Sequence, residues 1–138
     1  MSKSNTTEND ILKAILVGTD PSWRGNSTLY VSLHNGDPGE GGNQTSSETG
    51  GGVYAAYLRQ PITKATGWTD SGSTFTNAAL IQFPQCVGTG DVLTYVSIGT
   101  LVSGAGQILY SGVLSAPLTV ANLIQPQFAI GSLSVTED

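Results

Sequence analysis

The spacing of apolar residues along the chain changes near residue 18. Before it, Ile11, Leu12, Ile15 and Leu16 recur at i, i+1, i+4 and i+5, which places them on one stripe of a helix. The spacing predicts a helix over 8–18. Thr7 is placed to cap it, Glu8 and Asp10 suit the positive end of its dipole, and Gly18 can end it. An apolar stripe has to lie on something, either one end of the domain that follows or a partner protein on which residues 1–18 dock as an arm. After residue 18 the period falls to two. Leu29, Val31 and Leu33 alternate with polar neighbours over 27–34, the pattern of a strand with one face on a core.

Residues 35–52 then break the pattern with Gly, Asn, Asp, Ser and Thr, and predict a surface loop. Further strands are expected at 53–63, 74–79, 80–83, 92–100, 107–114, 118–120 with 122–128, and 133–136. Gly67, Asp70-Ser71-Gly72, Gly88-Thr89-Gly90-Asp91, Ser103-Gly104-Ala105-Gly106 and Gly131 supply the turns. Strict alternation over 92–100 would put Val92, Thr94, Val96 and Ile98 on one face and Leu93, Tyr95 and Ser97 on the other. Pro61, Pro84, Pro117 and Pro126 belong at strand ends, bulges or edges, where a missing N–H is tolerated. Short strands without βαβ alternation predict an all-β fold: an antiparallel sandwich of jelly-roll type with about eight strands and one short N-terminal helix. The expected organisation is an arm and helix over 1–18 and one sandwich domain over 19–138, a length that suits a single core.

Composition narrows the function. Charged residues are 11% of the chain, against roughly 25% in average soluble domains, so Ser, Thr, Asn, Gln and Gly must make up the surface. Ten acids outnumber five scattered bases for a net charge of -5, which cannot supply the cationic footprint of a nucleic-acid binder. The apolar run 11–17 contains Lys13 and is too short to span a bilayer; no signal-peptide pattern precedes it, so synthesis in a host cytoplasm and no membrane partner are expected. A single cysteine, Cys86, cannot form an internal disulfide and reads as a small buried hydrophobe.

Candidate chemistry is sparse. One histidine, His34, cannot establish a nucleophilic triad and is expected on the solvent side of the turn that follows its strand. Asp37, Glu40 and Glu48 do not follow the spacing of a calcium loop, and the glycine runs at 39–42 and 50–52 lack the Lys-Ser/Thr of a phosphate cradle. No enzyme activity, metal or cofactor is expected. Trp68 and Phe75 are assigned to the core. The groups suited to a protein interface are Ile11, Ile15, Trp23, Arg24, Tyr54, Tyr57 and Arg59, because Trp, Tyr and Arg dominate interface hot spots.

Several stretches also resemble one family of virion proteins. They are 29–40 (LYVSLHNGDPGE), 54–60 (YAAYLRQ), Trp68 with Asn77-Ala78-Ala79 and Phe83-Pro84, Ile98-Gly99-Thr100, Leu109-Tyr110-Ser111-Gly112, and Phe128 through 133–138 (LSVTED). Over about residues 28–138 this order is similar to that of the capsid cement, or head decoration, proteins of Bordetella-type short-tailed phages, whose relatives are often labelled tail fibre proteins. The resemblance implies a jelly roll on the outer surface of an icosahedral head, partnered by the major capsid protein and by itself as a dimer or trimer. Its role there would be to staple neighbouring capsid subunits. A tail fibre or baseplate component and a carbohydrate-binding jelly-roll module are the alternatives.

Overall fold

Ten strands and one α-helix make up the computed structural model, which describes residues 1–137. In chain order they are β1 (Ser2–Lys3), α1 (Asn5–Leu16), β2 (Thr28–His34), β3 (Gln60–Thr63), β4 (Trp68–Asp70), β5 (Thr74–Asn77), β6 (Ile81–Gln82), β7 (Asp91–Gly99), β8 (Ile108–Val120), β9 (Gln127–Phe128) and β10 (Ser134–Thr136). One sheet has the order β1-β8-β7-β2-β3, a second β10-β5-β4, and β6 pairs β9, every pairing antiparallel. The expected antiparallel sandwich with a short N-terminal helix is what the chain forms. Val31, Leu33, Val96 and Ile98 of the large sheet share its core with Ile81, Phe83, Leu133 and Val135. Each such side chain contributes about 1.5–3 kcal/mol when fully buried.

Individual strands depart from simple alternation for identifiable reasons. The register of β7 on β8 shifts between Leu93 and Tyr95, so a bulge reverses the phase of everything before it. Leu93 therefore joins Val96 and Ile98 in the core, whereas Val92, expected with them, is 47% exposed. The strand expected over 53–63 survives only as β3: Gly50 and Gly51, at φ 139° and 58°, turn the chain inward, and Tyr54 is buried with its hydroxyl on the Pro84 carbonyl. The strands expected at 107–114 and 118–120 are one continuous strand, β8. It runs through Pro117 at the register shift, where no residue of β7 pairs with it and the missing N–H is tolerated. Phe75, assigned to the core, is exposed on β5, and Trp68 is half-buried on β4.

The second departure is larger. Residues 35–59 contain few aliphatic side chains, yet they fold back over the sheet and cover Ser32, His34 and Ser97, each fully buried. A polar network replaces the missing hydrophobic contacts. Gln44, also fully buried, accepts the Leu101 N–H (2.9 Å) and donates to the Leu101 carbonyl (3.2 Å) and Ser32 Oγ (3.4 Å). Gly99 and Gly106 make room for it, since a Cβ on either would lie 2.2 and 2.0 Å from Gln44 atoms. Arg59 holds Glu48 in a bidentate pair, Nε to Oε1 and Nη2 to Oε2, both 2.7 Å, and donates to the carbonyls of Leu101 (3.0 Å) and Gly104 (2.8 Å). Tyr57 Oη donates to Glu48 Oε1 at 3.0 Å and accepts the Leu33 N–H at 2.9 Å. Among the described residues no buried side-chain polar atom lacks a partner.

His34 belongs to this network and not to the solvent side of a turn. Its Nδ1 lies 2.8 Å from the Ser46 carbonyl, which can only accept, so Nδ1 carries the proton and Nε2 accepts from Ser97 Oγ at 2.7 Å. Burial is the largest influence on the ring and lowers its pKa below 6.5. A lowered folded-state pKa means that the unfolded chain takes up the proton first. The contribution of the neutral ring is thus complete above pH 6.5 and declines as the pH falls below it.

Two outcomes are expected in urea unfolding. The midpoint falls as the pH is lowered from 7 to 5, and His34→Gln flattens that dependence; an equally steep profile in the variant would assign the effect to other groups. Arg59→Met, which leaves Glu48 buried without its partner, costs about 3 kcal/mol, and adding Glu48→Gln recovers part of the loss.

Candidate functional site

Helix α1 begins earlier than its apolar pattern indicates, because Ser4 caps it and Thr7 does not. Ser4 Oγ accepts the Thr7 N–H at 3.3 Å, and the first turn, residues 5–7, is entirely polar. Its C-terminal end follows expectation: the Thr19 N–H returns to the Lys13 carbonyl across Gly18, whose φ is 74°.

The polar face of α1 is the one turned inward. Ser4 Oγ and Thr7 Oγ1, both buried, donate to the Ile108 carbonyl at 2.6 and 2.9 Å, so two hydroxyls meet the start of β8. Gln107 Nε2 donates to Thr7 Oγ1 and to Asp10 Oδ2, each at 3.0 Å. Trp23 Nε1 donates to the same Asp10 oxygen at 3.0 Å, and the Asn5 N–H to the Glu40 carbonyl at 3.0 Å. Residues 4, 7 and 10 share a helix face, so these contacts fix the rotation of α1 about its axis.

That rotation sends the apolar stripe outward. Leu12, Ile15 and Leu16 are 55, 72 and 76% exposed, as is Val17 just past the helix end at 72%, while Ile11 is half-buried at the edge of the docked face. The helix therefore does not close the sandwich with its apolar side. Scattered apolar residues on a surface need no explanation; here Leu12, Ile15 and Leu16 are exposed together on one helix face, opposite the hydrogen-bonded polar one.

The seven residues expected at an interface separate into two groups. Ile15 lies in the exposed row and Ile11 at its margin. Trp23 and Arg24 follow in a 3₁₀ turn, Ser22–Gly25, which the Trp23–Asp10 bond ties to α1. Trp23 is half-buried with the Lys64 ammonium 5.7 Å from its ring centroid, and Arg24 is exposed and paired with Asp20. For the other group, Tyr54, Tyr57 and Arg59, the expected outward position is wrong. Tyr54 and Arg59 are buried within the chain, and Tyr57 is wedged between Glu48, Tyr54 and Phe83, with ring centroids 5.4 and 6.0 Å away. They build the fold, Tyr54 and Arg59 from buried positions and Tyr57 from a half-buried one. Leu12 and Leu16 belong to the same exposed face, and their signal is the helical stripe that also contains Ile11 and Ile15.

His34 is committed to Ser46 and Ser97, Cys86 is buried, and no group of three or more His, Cys, Asp or Glu is assembled among the described residues. No helix among them is long and apolar enough to cross a membrane.

Comparison with known proteins adds one positive finding. The family model described as podophage GP4 fiber I protein gp80 matches residues 2–136, a span that takes in α1, all ten strands and the loop between β2 and β3. No match was found among curated proteins. With the match extending over nearly the whole chain, this protein belongs to the podophage GP4 fiber I gp80 family and is a structural protein of a short-tailed phage particle.

Proposed function

We propose that the chain is a non-catalytic assembly protein that docks on the outer surface of the phage head through the apolar face of α1 and staples neighbouring major capsid subunits. The observation that carries this reading is the orientation of α1: a polar anchor to β8 with Leu12, Ile15 and Leu16 presented outward. Covering those side chains contributes on the order of 1–2 kcal/mol each before the losses of association are subtracted. One such contact is weak. Repeated over many symmetry-related positions, with copies of the chain also touching one another, it becomes effectively permanent. The low charge of the surface agrees with this role, since few ionic groups have to be desolvated when the chain is seated.

A second reading, a component of the tail fibre, is favoured by the description of the family, which names a fiber protein. The two differ in where the same helix face is covered.

Purified protein mixed with heads that lack it, then sedimented, is expected to bind saturably at a ratio set by the capsid lattice and to raise the temperature at which heads burst. Binding to isolated tails with none to heads would replace the first reading with the second. The triple variant Leu12→Ser, Ile15→Ser, Leu16→Ser is expected to bind at least tenfold more weakly, with a urea midpoint close to that of the parent. Undiminished binding by that variant would remove α1 from the interface.

A further inference from the structure

Strand β8 is paired along one side with β7 except at 114–117, and on its other side β1 covers only Tyr110 and Ser111. Residues 112–119 therefore have no partner strand at that edge among the described residues. Natural sheets shorten, charge or cover such edges because their free N–H and C=O groups accept another chain.

Here the edge forms the floor of a groove of about 760 Å³, along 111–115. Asp37 and Glu40, from the loop that covers one face of the sheet, stand on one side of it. Phe128 and residues 132–134, from the other layer, stand on the opposite side, and Met1 lies at one end. Ser2 pairs with Ser111 and Lys3 with Tyr110, so the line of β1 continued past Met1 runs beside Gly112, Val113, Leu114 and Ser115.

We propose that this edge is a strand-acceptor slot, filled in the particle by an extended segment of a different virion protein that carries at least one Lys or Arg. Backbone bonding to the edge would supply affinity, and side chains on the two sides would select the segment. The charge requirement follows from Asp37 and Glu40, which are exposed and in no ion pair among the described residues. Asp37 Oδ1 accepts only the Gly39 N–H.

A second copy of this chain fits the slot poorly. Lys3, Arg24 and Arg59 are paired with Glu137, Asp20 and Glu48, and Lys64 donates to the carbonyls of Trp23 and Arg24. The fifth cation, Lys13, sits on a helix. Two β8 edges placed side by side would instead bring two sets of Asp37 and Glu40 together, and Pro117 removes a donor from the far end of the edge.

The proposal rests on the chain being attached to a particle, and holds for head or tail. Its test is backbone hydrogen exchange on the full-length protein, free and attached to phage particles that lack it, beside the double variant Asp37→Asn, Glu40→Gln. The amide oxygen that Asp37→Asn introduces can still accept the Gly39 N–H, so the loop keeps its turn while the charge is lost. Attachment is expected to slow exchange at 112–116 by tenfold or more. The variant is expected to bind about tenfold more weakly at low salt, with the difference shrinking as salt rises. Attachment with unchanged exchange at 112–116 overturns the slot and leaves the docking role of α1 standing. Failure to attach to any particle overturns both.

Discussion

The Glu48–Arg59 pair holds down the part of the chain that has least hydrophobic reason to fold. The connection from β2 to β3 is rich in Gly, Ser, Thr and Asn, and could not cover a sheet by apolar burial. Arg59 resolves this by chelating Glu48 and two backbone carbonyls, while Gln44 and His34 fasten the preceding turns to Leu101, Ser32 and Ser97. Buried polar networks of this kind are costly when incomplete and specifying when complete. Their completeness fixes one position for the connection, and two assembly features depend on it: the Glu40 carbonyl that receives the first turn of α1, and the acidic side of the groove beside β8.

Helix α1 uses the same physics in the opposite sense. An amphipathic helix ordinarily buries its apolar stripe and shows its polar face to water. Here hydroxyl and carboxylate side chains bind the start of β8, Gln107 and Trp23, and the apolar row is left to be covered by something else. The arrangement suits a virion component, which must be soluble before assembly and acquire its main apolar contact on the particle. In the proposed docking role, a row of three side chains is small enough for that and large enough to matter when repeated.

The sequence made the local periodicity legible and concealed what depended on contacts between distant residues. Strand β2 followed from the alternation of Leu29, Val31 and Leu33, and the all-β class from glycine and β-branched content. The irregularity between β7 and β8 was hidden because strict alternation fits 92–98 equally well, and the register shift between Leu93 and Tyr95 places Leu93 in the core. His34 was misplaced because its partners, Ser46 and Ser97, are polar residues that the pattern assigns to loop and surface. Arg59 and Tyr54 were read as surface anchors for the related reason that Arg burial is visible only once Glu48 is seen beside it. At α1 the stripe itself was correct; its direction was set by Ser4, Thr7 and Asp10, whose bonds to Ile108, Gln107 and Trp23 no helical periodicity encodes.

The central claim is that the outward face of α1 is where this protein meets the particle. A reconstruction of the mature particle by electron microscopy, at a resolution that separates side chains, addresses it directly. The account predicts that Leu12, Ile15 and Leu16 are packed against another polypeptide at every ordered copy of the chain. A particle in which the chain is ordered and attached by another surface, with α1 facing solvent, would contradict it.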